Sequence, residues 1–519
     1  MRSRAAVVVV GAGVGGLVAA LLSAARGFDT IVLEAASAAG GKLRAAEVSG
    51  RRIDAGPTVF TLRDVFEDLF AECGGTLSDY LTLKRAERLA RHYWPDGSRV
   101  DLFPDIEANF AAIREFAGLR EAEGYRAFAA RAAHMHATLD RAFMRAPRPA
   151  HPFSLASRIG WTRWRDIAAI TPTRTLWGAL GAHFHDPRLR QLFARYATYC
   201  GSSPFLAPAT LMLVADVERR GVWFVEGGMI KLAEALERFA VSLGARFHYG
   251  ARVERIVVEG GRACGVVTEA GQRFDAEAIL FNGDVSALSM LGTQAGAAAA
   301  PTPPRARSLS AVTLAGVGTS DAPLLHHNVF FGANYAEEFE AIFARGRLPA
   351  QPTVYVCASD RGDDDKARGD GERLFCLANA PAGPGGALDE KQIEAYEAAA
   401  MDVMRACGAR LDWRERVVTT PADFAALFPA TEGSLYGVAT HGWQASFLRP
   451  TARTRLPGLY LAGGGVHPGP GVPMAALSGR QAALAITSDL RSTRRSRLAA
   501  LSRSLSPPLA TTENPERPG

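Results

Sequence analysis

Four consecutive valines, Val7 to Val10, run directly into Gly11-Ala12-Gly13-Val14-Gly15-Gly16, and an apolar stretch then leads to Thr30-Ile31-Val32-Leu33-Glu34. No other run constrains the fold as strongly. An unbroken apolar run ahead of a glycine turn reads as a strand buried on both faces, as a parallel sheet requires. The glycines have separate tasks: Gly11 permits the tight turn, Gly13 lets backbone approach a pyrophosphate, and Gly16 lets the next helix pack closely on the strand. The helix start holds the negative charge. The second strand ends at Glu34, whose carboxylate is placed to accept from a ribose 2′- and 3′-hydroxyl pair and is unsuited to a 2′-phosphate. Strand, glycines, helix, strand and acid in register within about thirty residues predict a dinucleotide-binding unit.

Residues 5–25 carry no charge and are flanked by Arg4 and Arg26, as in a signal peptide or membrane span. Gly11, Gly13, Gly15 and Gly16 weigh against a spanning helix, because each costs roughly 1 kcal/mol relative to Ala inside a helix. Cleavage is not expected either, since no small-residue site leads into a disulfide-rich chain. The six cysteines stand apart, with no C-x-x-C pair and no zinc spacing, which suits a reducing cytosol. With 519 residues, 48% of them hydrophobic and 22% charged, the chain has material for a sizeable core and is not of the disordered class. The net charge of +6 is carried by arginine far more than by lysine. No nucleic-acid motif accompanies it, so the basicity points to an anionic membrane surface.

Two further glycine punctuations follow the ribose acid: Gly40-Gly41-Lys42-Leu43-Arg44, and Asp54-Ala55-Gly56-Pro57-Thr58. Residues 89–103 read as a hairpin turning at Pro95-Asp96-Gly97. Residues 105–239 are mainly helical and rich in arginine and aromatics, with a proline-spaced bend at 202–208. Short strands at 246–249, 253–258, 263–268 and 278–282 return to the first domain. An α/β layer over 307–411 has strands at 309–317, 328–331, 353–358 and 374–378 and helices at 335–344 and 391–407. Near the end, Leu459-Tyr460-Leu461 runs into Gly463-Gly464-Gly465, followed by His467-Pro468 and a helix over 475–490. The Arg/Ser- and Pro-rich tail, 491–519, is expected to be disordered. The predicted fold is α/β. A Rossmann-like domain is assembled from 1–104, 225–300 and 415–490, and an inserted α/β substrate domain with a helical membrane-facing region is built from 105–224 and 301–414.

Two glycine-ended strands at opposite ends of the chain favour FAD over NAD. A second glycine loop and helix start returning at the C-terminus would cradle a flavin ring, and the helix dipole over 472–475 would stabilise negative charge on the reduced ring.

These residues together resemble the bacterial-type carotenoid desaturases, flavoproteins related to phytoene desaturase. The resemblance runs from Val7 to about Asp489 and rests on separated segments in order: the Gly11 to Glu34 run, 54–58, 203–208, 221–229, 326–331, 352–357 and 461–473. Within the family, Thr58-Val59-Phe60-Thr61, Leu89-Ala90-Arg91-His92, Arg195-Tyr196-Ala197-Thr198-Tyr199 and residues 464–474 are most similar to the 1-hydroxycarotenoid 3,4-desaturases (hydroxyneurosporene or methoxyneurosporene desaturase). The resemblance implies that Gly11, Gly13, Gly16 and Glu34 bind the adenosine half of FAD. Gly41, Lys42, Thr58, Val253 through its backbone, Gly465 and Met474 would lie along the remainder.

The implied reaction introduces a C3–C4 double bond into an acyclic 1-hydroxycarotenoid, with oxygen or a quinone as final electron acceptor. Hydride loss from allylic C4 to a flavin leaves a polyene cation whose C3 proton is acidic, so a modest base suffices and the protein mainly positions and excludes water. Arg165-Asp166 resembles an Arg-Asp pair that the family places near the mouth of the substrate domain; the alternative is an exposed surface ion pair worth under about 1 kcal/mol. His134/His136, His183/His185 and His326-His327 have no convincing carboxylate or cysteine co-ligands, so they are read as structural and no metal is expected. Residues 153–180 combine Trp161, Trp164 and Trp177 with Arg158, Arg163, Arg165 and Arg174, which suits a lipid headgroup region. A cytoplasmic enzyme held peripherally on the inner membrane is the expectation; the alternative is that the tryptophans pack the helical domain. The rival functions are phytoene desaturase, carotenoid isomerase or amine oxidase on the same scaffold, and a non-enzymatic flavin- or carotenoid-binding module.

Overall fold

The computed structural model describes residues 5–504 except 171, 172, 368 and 370, and leaves the side chains of 164 and 494–504 undescribed. The opening valines form the strand Ala6–Val10 at the centre of a five-stranded, all-parallel sheet. Its neighbours are Asp29–Leu33 and Ala278–Phe281, and its edges are Arg246–His248 and Leu459–Leu461. Val7 and Val9 enter one hydrophobic cluster and Val8 and Val10 another, the two-face burial expected of a central parallel strand. Helices Val14–Ala25, Ile230–Ser242 and Val472–Ser504 cover the first face, and the strands Val253–Glu259, Arg262–Thr268 and Arg273–Asp275 cover the second.

A seven-stranded sheet lies in the other half. Its order is Leu411–Thr419, Ser310–Ser320, Glu372–Ala380, Val354–Ala358, His327–Phe330, Ala90–Tyr93 and Arg99–Leu102. One face packs on helix Glu390–Ala406 through Leu314, Val356, Phe330 and Tyr396. The opposite face meets the hairpin Ala45–Val48 and Arg51–Asp54, where Val48 and Ile53 pack on Ala315, Val317, Cys357 and Phe375. That hairpin leads out of the glycine-rich segment at 40–44, so this face of the sheet looks toward the half that holds the five-stranded parallel sheet.

Three boundaries differ from the sequence reading. The hairpin at 89–103 forms, with Gly97 at φ +79°, but Ala90–Tyr93 pairs in parallel with His327–Phe330. The seven-stranded sheet therefore begins before residue 105, a crossing between sheets that leaves no local signal in composition. Leu411–Thr419 is an extra strand, running past residue 414. Its Asp412, Arg414, Glu415 and Arg416 hid it from hydrophobic patterning, and such charges blunt the exposed edge of a sheet. The last helix passes 490 and runs through Ser504, over the start of the tail read as disordered; Arg, Leu and Ala there are strong helix formers. Residues 505–519 lie outside the described residues. Among the described residues no helix is long and apolar enough to cross a membrane.

Candidate cofactor and substrate site

The glycine segments meet one another. Gly11 has φ +96°, and its N–H donates to the Leu33 carbonyl at 2.8 Å. A Cβ on Gly16 would stand 2.1 Å from the Gly11 carbonyl oxygen, one on Gly15 2.9 Å from the Gly463 nitrogen, and one on Gly41 (φ +59°) 3.1 Å from Gly13 Cα. The loops at 11–16, 40–41 and 463 are thus in backbone contact, joining the two glycine-ended strands read from the sequence. Asn282, just past Ala278–Phe281, sits among them: a Cβ on Gly13 would lie 2.8 Å from its Nδ2, and its buried Oδ1 has no partner among the described residues.

Glu34 has a task that the sequence did not reveal. Its carboxylate accepts from the Ala12 N–H at 2.6 Å and the Ala36 N–H at 2.8 Å, so it clamps the first glycine loop. Val253 is buried in the same cluster as Val8 and Leu33, beside the end of the Glu34 strand. Helix Val14–Ala25 has no side-chain cap at Gly13 and no acid in its first turn, which leaves its positive end uncompensated. The Lys42 ammonium donates to the Leu435 carbonyl at 2.5 Å, and burial holds its pKa down to about 8.

On the C-terminal side, a Cβ on Gly437 would lie 3.2 Å from Gly465 Cα, while one on Gly465 would meet nothing within 4 Å. His467 Nε2 donates toward the carbonyls of Phe143 (3.0 Å) and Ala146 (2.9 Å), and burial lowers its pKa to about 4. Buried Arg449 lies against Gly469 and donates to the Val438 carbonyl at 2.8 Å; desolvation pulls its pKa down to about 10. Met474 is in the first turn of Val472–Ser504, partly buried against the main core. Backbone loops without Cβ atoms, an uncapped helix start, an acid at the end of the second strand, an orphaned Asn282 oxygen and a cationic second loop fit a flavin dinucleotide.

The seven-stranded sheet carries a buried polar cluster on its inward face. Thr58 Oγ1 and Tyr355 OH are 2.6 Å apart, and Tyr355 OH is 2.7 Å from His327 Nδ1. His92 Nε2 accepts from Arg195 Nε at 3.1 Å, Arg195 Nη2 donates to Glu218 at 3.0 Å, and the Tyr199 hydroxyl donates to Glu218 at 2.7 Å; the Tyr196 hydroxyl donates to the same carboxylate. His92, Arg195, Tyr196, Glu218 and His327 are all buried. Thr58, His92, Arg195 and Tyr199 belong to segments singled out in the sequence, yet only the fold brings them together. Glu218 gave no signal, because Glu218-Arg219-Arg220 reads as a solvated helix face.

His326 and His327, read from sequence as structural, have Cys357 beside them; one ligand atom of each lies within 4.8 Å of the others. His326 Nδ1 is 2.9 Å from the Arg361 carbonyl, and burial lowers the His326 pKa to about 4. His136 pairs with Asp216 at 2.8 Å, and His185 lies 3.4 Å from Glu121.

Arg165 and Asp166 are on the short helix Trp164–Ala169. Arg165 is exposed, whereas Asp166 is half-buried and bonds Arg163 Nε at 2.5 Å and His134 Nε2 at 3.1 Å. The Asp166 partners, Arg163 and His134, lie outside the buried cluster. Trp177 packs on Phe205 and Tyr335 with Arg190 over its ring, so it serves the helical core, while Trp161 is exposed.

Residues 14–487 match the family described as flavin containing amine oxidoreductase. The chain is 48% identical over 516 residues to the hydroxyneurosporene desaturase of Rubrivivax gelatinosus, covering 98% of each chain. It is 46% identical over 491 residues to the hydroxyneurosporene desaturase of Cereibacter sphaeroides, covering 94% of this chain and 98% of that one. Among solved structures, wild-type putrescine oxidase bound to putrescine superposes with a TM-score of 0.59 at 17% identity, covering 93% of this chain and 99% of that chain, a likeness of fold alone.

Proposed function

The chain belongs to the flavin-containing amine oxidoreductases, and on that premise we propose that it introduces the C3–C4 double bond into acyclic 1-hydroxycarotenoids such as 1-hydroxyneurosporene. The observation that carries this reading is the 48% identity to a hydroxyneurosporene desaturase, which covers 98% of both chains. The cofactor is FAD, which when bound supplies a two-electron hydride acceptor.

The chain's own residues bind, orient and exclude water. Gly11, Gly13, Gly16 and the uncapped helix start would take the pyrophosphate, and Glu34 the ribose. Val253, Gly41, Lys42, Thr58, Gly465 and Met474 would line the rest, with the positive helix start at Val472 facing the ring. In this reading segments 1–104, 225–300 and 415–490 hold the cofactor, while 105–224 and 301–414, joined by the 90–102 hairpin, hold the polyene. Arg165 and Asp166 stand as acid/base candidates at the entrance; an Asp166→Asn protein with full turnover removes Asp166 from that role.

A polyene substrate is dissolved in lipid, so the entrance should meet a bilayer. Phe153 (71% exposed) and Trp161 (61%) flank the small cluster of Leu155, Ile159 and Ile170, and Phe447, next to Leu448 (70%), packs on that cluster. Exposed apolar side chains beside Arg158, Arg163 and Arg165 support peripheral membrane binding through this face. Co-sedimentation with anionic vesicles that survives high salt in the native protein and is lost in a Phe153→Ser/Trp161→Ser/Leu448→Ser protein is the expected result. The electron acceptor in this reading is oxygen or a bilayer quinone, which anaerobic turnover with and without quinone separates.

The function is tested by expressing the chain in cells that make neurosporene-type carotenoids, with and without the hydratase that adds the C1 hydroxyl. New conjugation only in the hydroxylated background is expected. Desaturation of phytoene instead would overturn the assignment.

A further inference from the structure

A hydrocarbon polyene has no need of buried hydrogen-bonding groups, yet the inward face of the seven-stranded sheet is polar. Hydrogen-bond bookkeeping there leaves a nitrogen unpaired, besides the buried Tyr335 hydroxyl near Arg195. Arg195, Glu218, Tyr199 and His92 satisfy one another, and the Tyr355 hydroxyl is shared between Thr58 and His327 Nδ1. His327 Nε2 is buried and has no hydrogen-bond partner among the described residues. Other buried nitrogens, such as His136 Nε2, His183 Nε2 and His467 Nδ1, also lack partners among the described residues, and each calls for a ligand, a water or another explanation. His327 differs in belonging to the polar cluster on this sheet face.

We propose that His327 Nε2 is the receptor for the C1 hydroxyl of the carotenoid, with Tyr355 and Thr58 fixing the orientation of the imidazole. The inference rests on the 1-hydroxycarotenoid reading and names the group that recognises the hydroxyl. Burial, then the neighbouring His326 and Arg195, keep His327 neutral, so recognition is between uncharged groups. The proton shared with Tyr355 decides whether Nε2 donates or accepts. An alcohol serves either tautomer, a methyl ether only the N–H form, and a hydrocarbon neither. A substrate without the hydroxyl leaves the nitrogen unpaired, which is how a buried polar site rejects an analogue lacking its partner. The segments that set the resemblance to hydroxycarotenoid members, at Thr58, His92, Arg195 and Tyr199, converge on this cluster.

The test uses the purified, FAD-loaded protein and its His327→Leu, His327→Gln and Tyr355→Phe forms. Two measurements are made with 1-hydroxyneurosporene and neurosporene: kcat/KM, and binding by quenching of protein fluorescence. Flavin absorbance per protein reports the fold. Native protein should prefer the hydroxylated substrate in both. In His327→Leu that preference should fall at least about tenfold, through weaker binding of the hydroxylated substrate and equal or tighter binding of neurosporene. His327→Gln should retain part of it, and Tyr355→Phe should lose less than His327→Leu. An unchanged preference in a flavin-loaded His327→Leu protein overturns the proposal. So does stoichiometric metal in the native protein that leaves on His326→Ala, because the nitrogen is then a ligand. Loss of flavin and fold in all three variants makes His327 part of the framework and also overturns it. If the native protein turns over no 1-hydroxycarotenoid, the functional reading fails, while the binding comparison still reads hydroxyl recognition by itself.

Discussion

Glu34 illustrates what one residue can do beyond its motif. Its place at the end of the second strand predicts a ribose partner, but the two N–H bonds it accepts from Ala12 and Ala36 make it the clamp of the loop as well. Hydrogen bonds to charged groups contribute about 1.5–3 kcal/mol each, and Glu34→Ala removes both acceptors at once. Its FAD affinity is expected to fall on the order of 100-fold or more, measured by titrating apoprotein with FAD. Glu34→Gln keeps one acceptor oxygen and should fall in between. Equal affinities for Glu34→Ala and native protein would show that the loop holds its shape without the clamp. The glycine turn and the acid that ends the second strand were legible here because their spacing along the chain is short. Glu34's second role, the Tyr355–Thr58 bond and the Glu218 carboxylate were not, since each is a contact between distant segments or hides in a charged surface pattern.

At the scale of elements, the half built on the parallel sheet is closed by a helix from the far end of the chain. A Cβ on Gly479 would stand 2.2 Å from the Gly15 carbonyl oxygen, so Val472–Ser504 crosses Val14–Ala25 backbone to backbone. The obstructing atom is main chain and cannot swing aside. Gly479→Ala must therefore part the two helices, an overpacking that costs about 1–3 kcal/mol or more. Because Gly15 also abuts Gly463, the gap opens between the two glycine loops. Purified Gly479→Ala protein is expected to carry substoichiometric flavin and to melt lower than native protein. Gly244→Ala is the reference: its added Cβ meets nothing within 4 Å although its φ is +97°, so it isolates backbone strain from packing and should keep a full complement of flavin. Stoichiometric flavin and a native melting temperature in Gly479→Ala would mean that the helices have slack at this crossing. The buried strands were readable as apolar runs ended by glycine. The charged edge strand at 411–419 was not, because its pairing is decided by the neighbouring Ser310–Ser320 strand and not by its own pattern.

Across the whole molecule, folding buries histidines that the unfolded chain leaves in water. Burial lowers the pKa of His326, His441 and His467 to about 4. The unfolded value is near 6.5. Above about pH 6.5 these groups are neutral in both states and contribute no pH dependence. Between 6.5 and 4 the unfolded chain takes up protons that the folded protein cannot, so stability falls as pH falls, by about 1.4 kcal/mol per pH unit for each histidine. The fall from these groups stops below about 4, once the folded protein binds the same protons. Carboxylates such as Asp360, where hydrogen bonds from Arg373 outweigh burial and lower the pKa, act below that window. The urea midpoint of the FAD-loaded protein is therefore expected to drop steeply as pH falls from 6.5 to 4.5 and to change little from 7 to 8, where only the lowered pKa of Lys42 adds a slight rise. His441 accepts from the Ser203 N–H at 3.0 Å, a bond a glutamine oxygen can replace. His441→Gln should consequently fold and show a shallower slope across the same window. A midpoint that stays constant from pH 7 to 4.5 would mean that these imidazoles reach water in the folded protein.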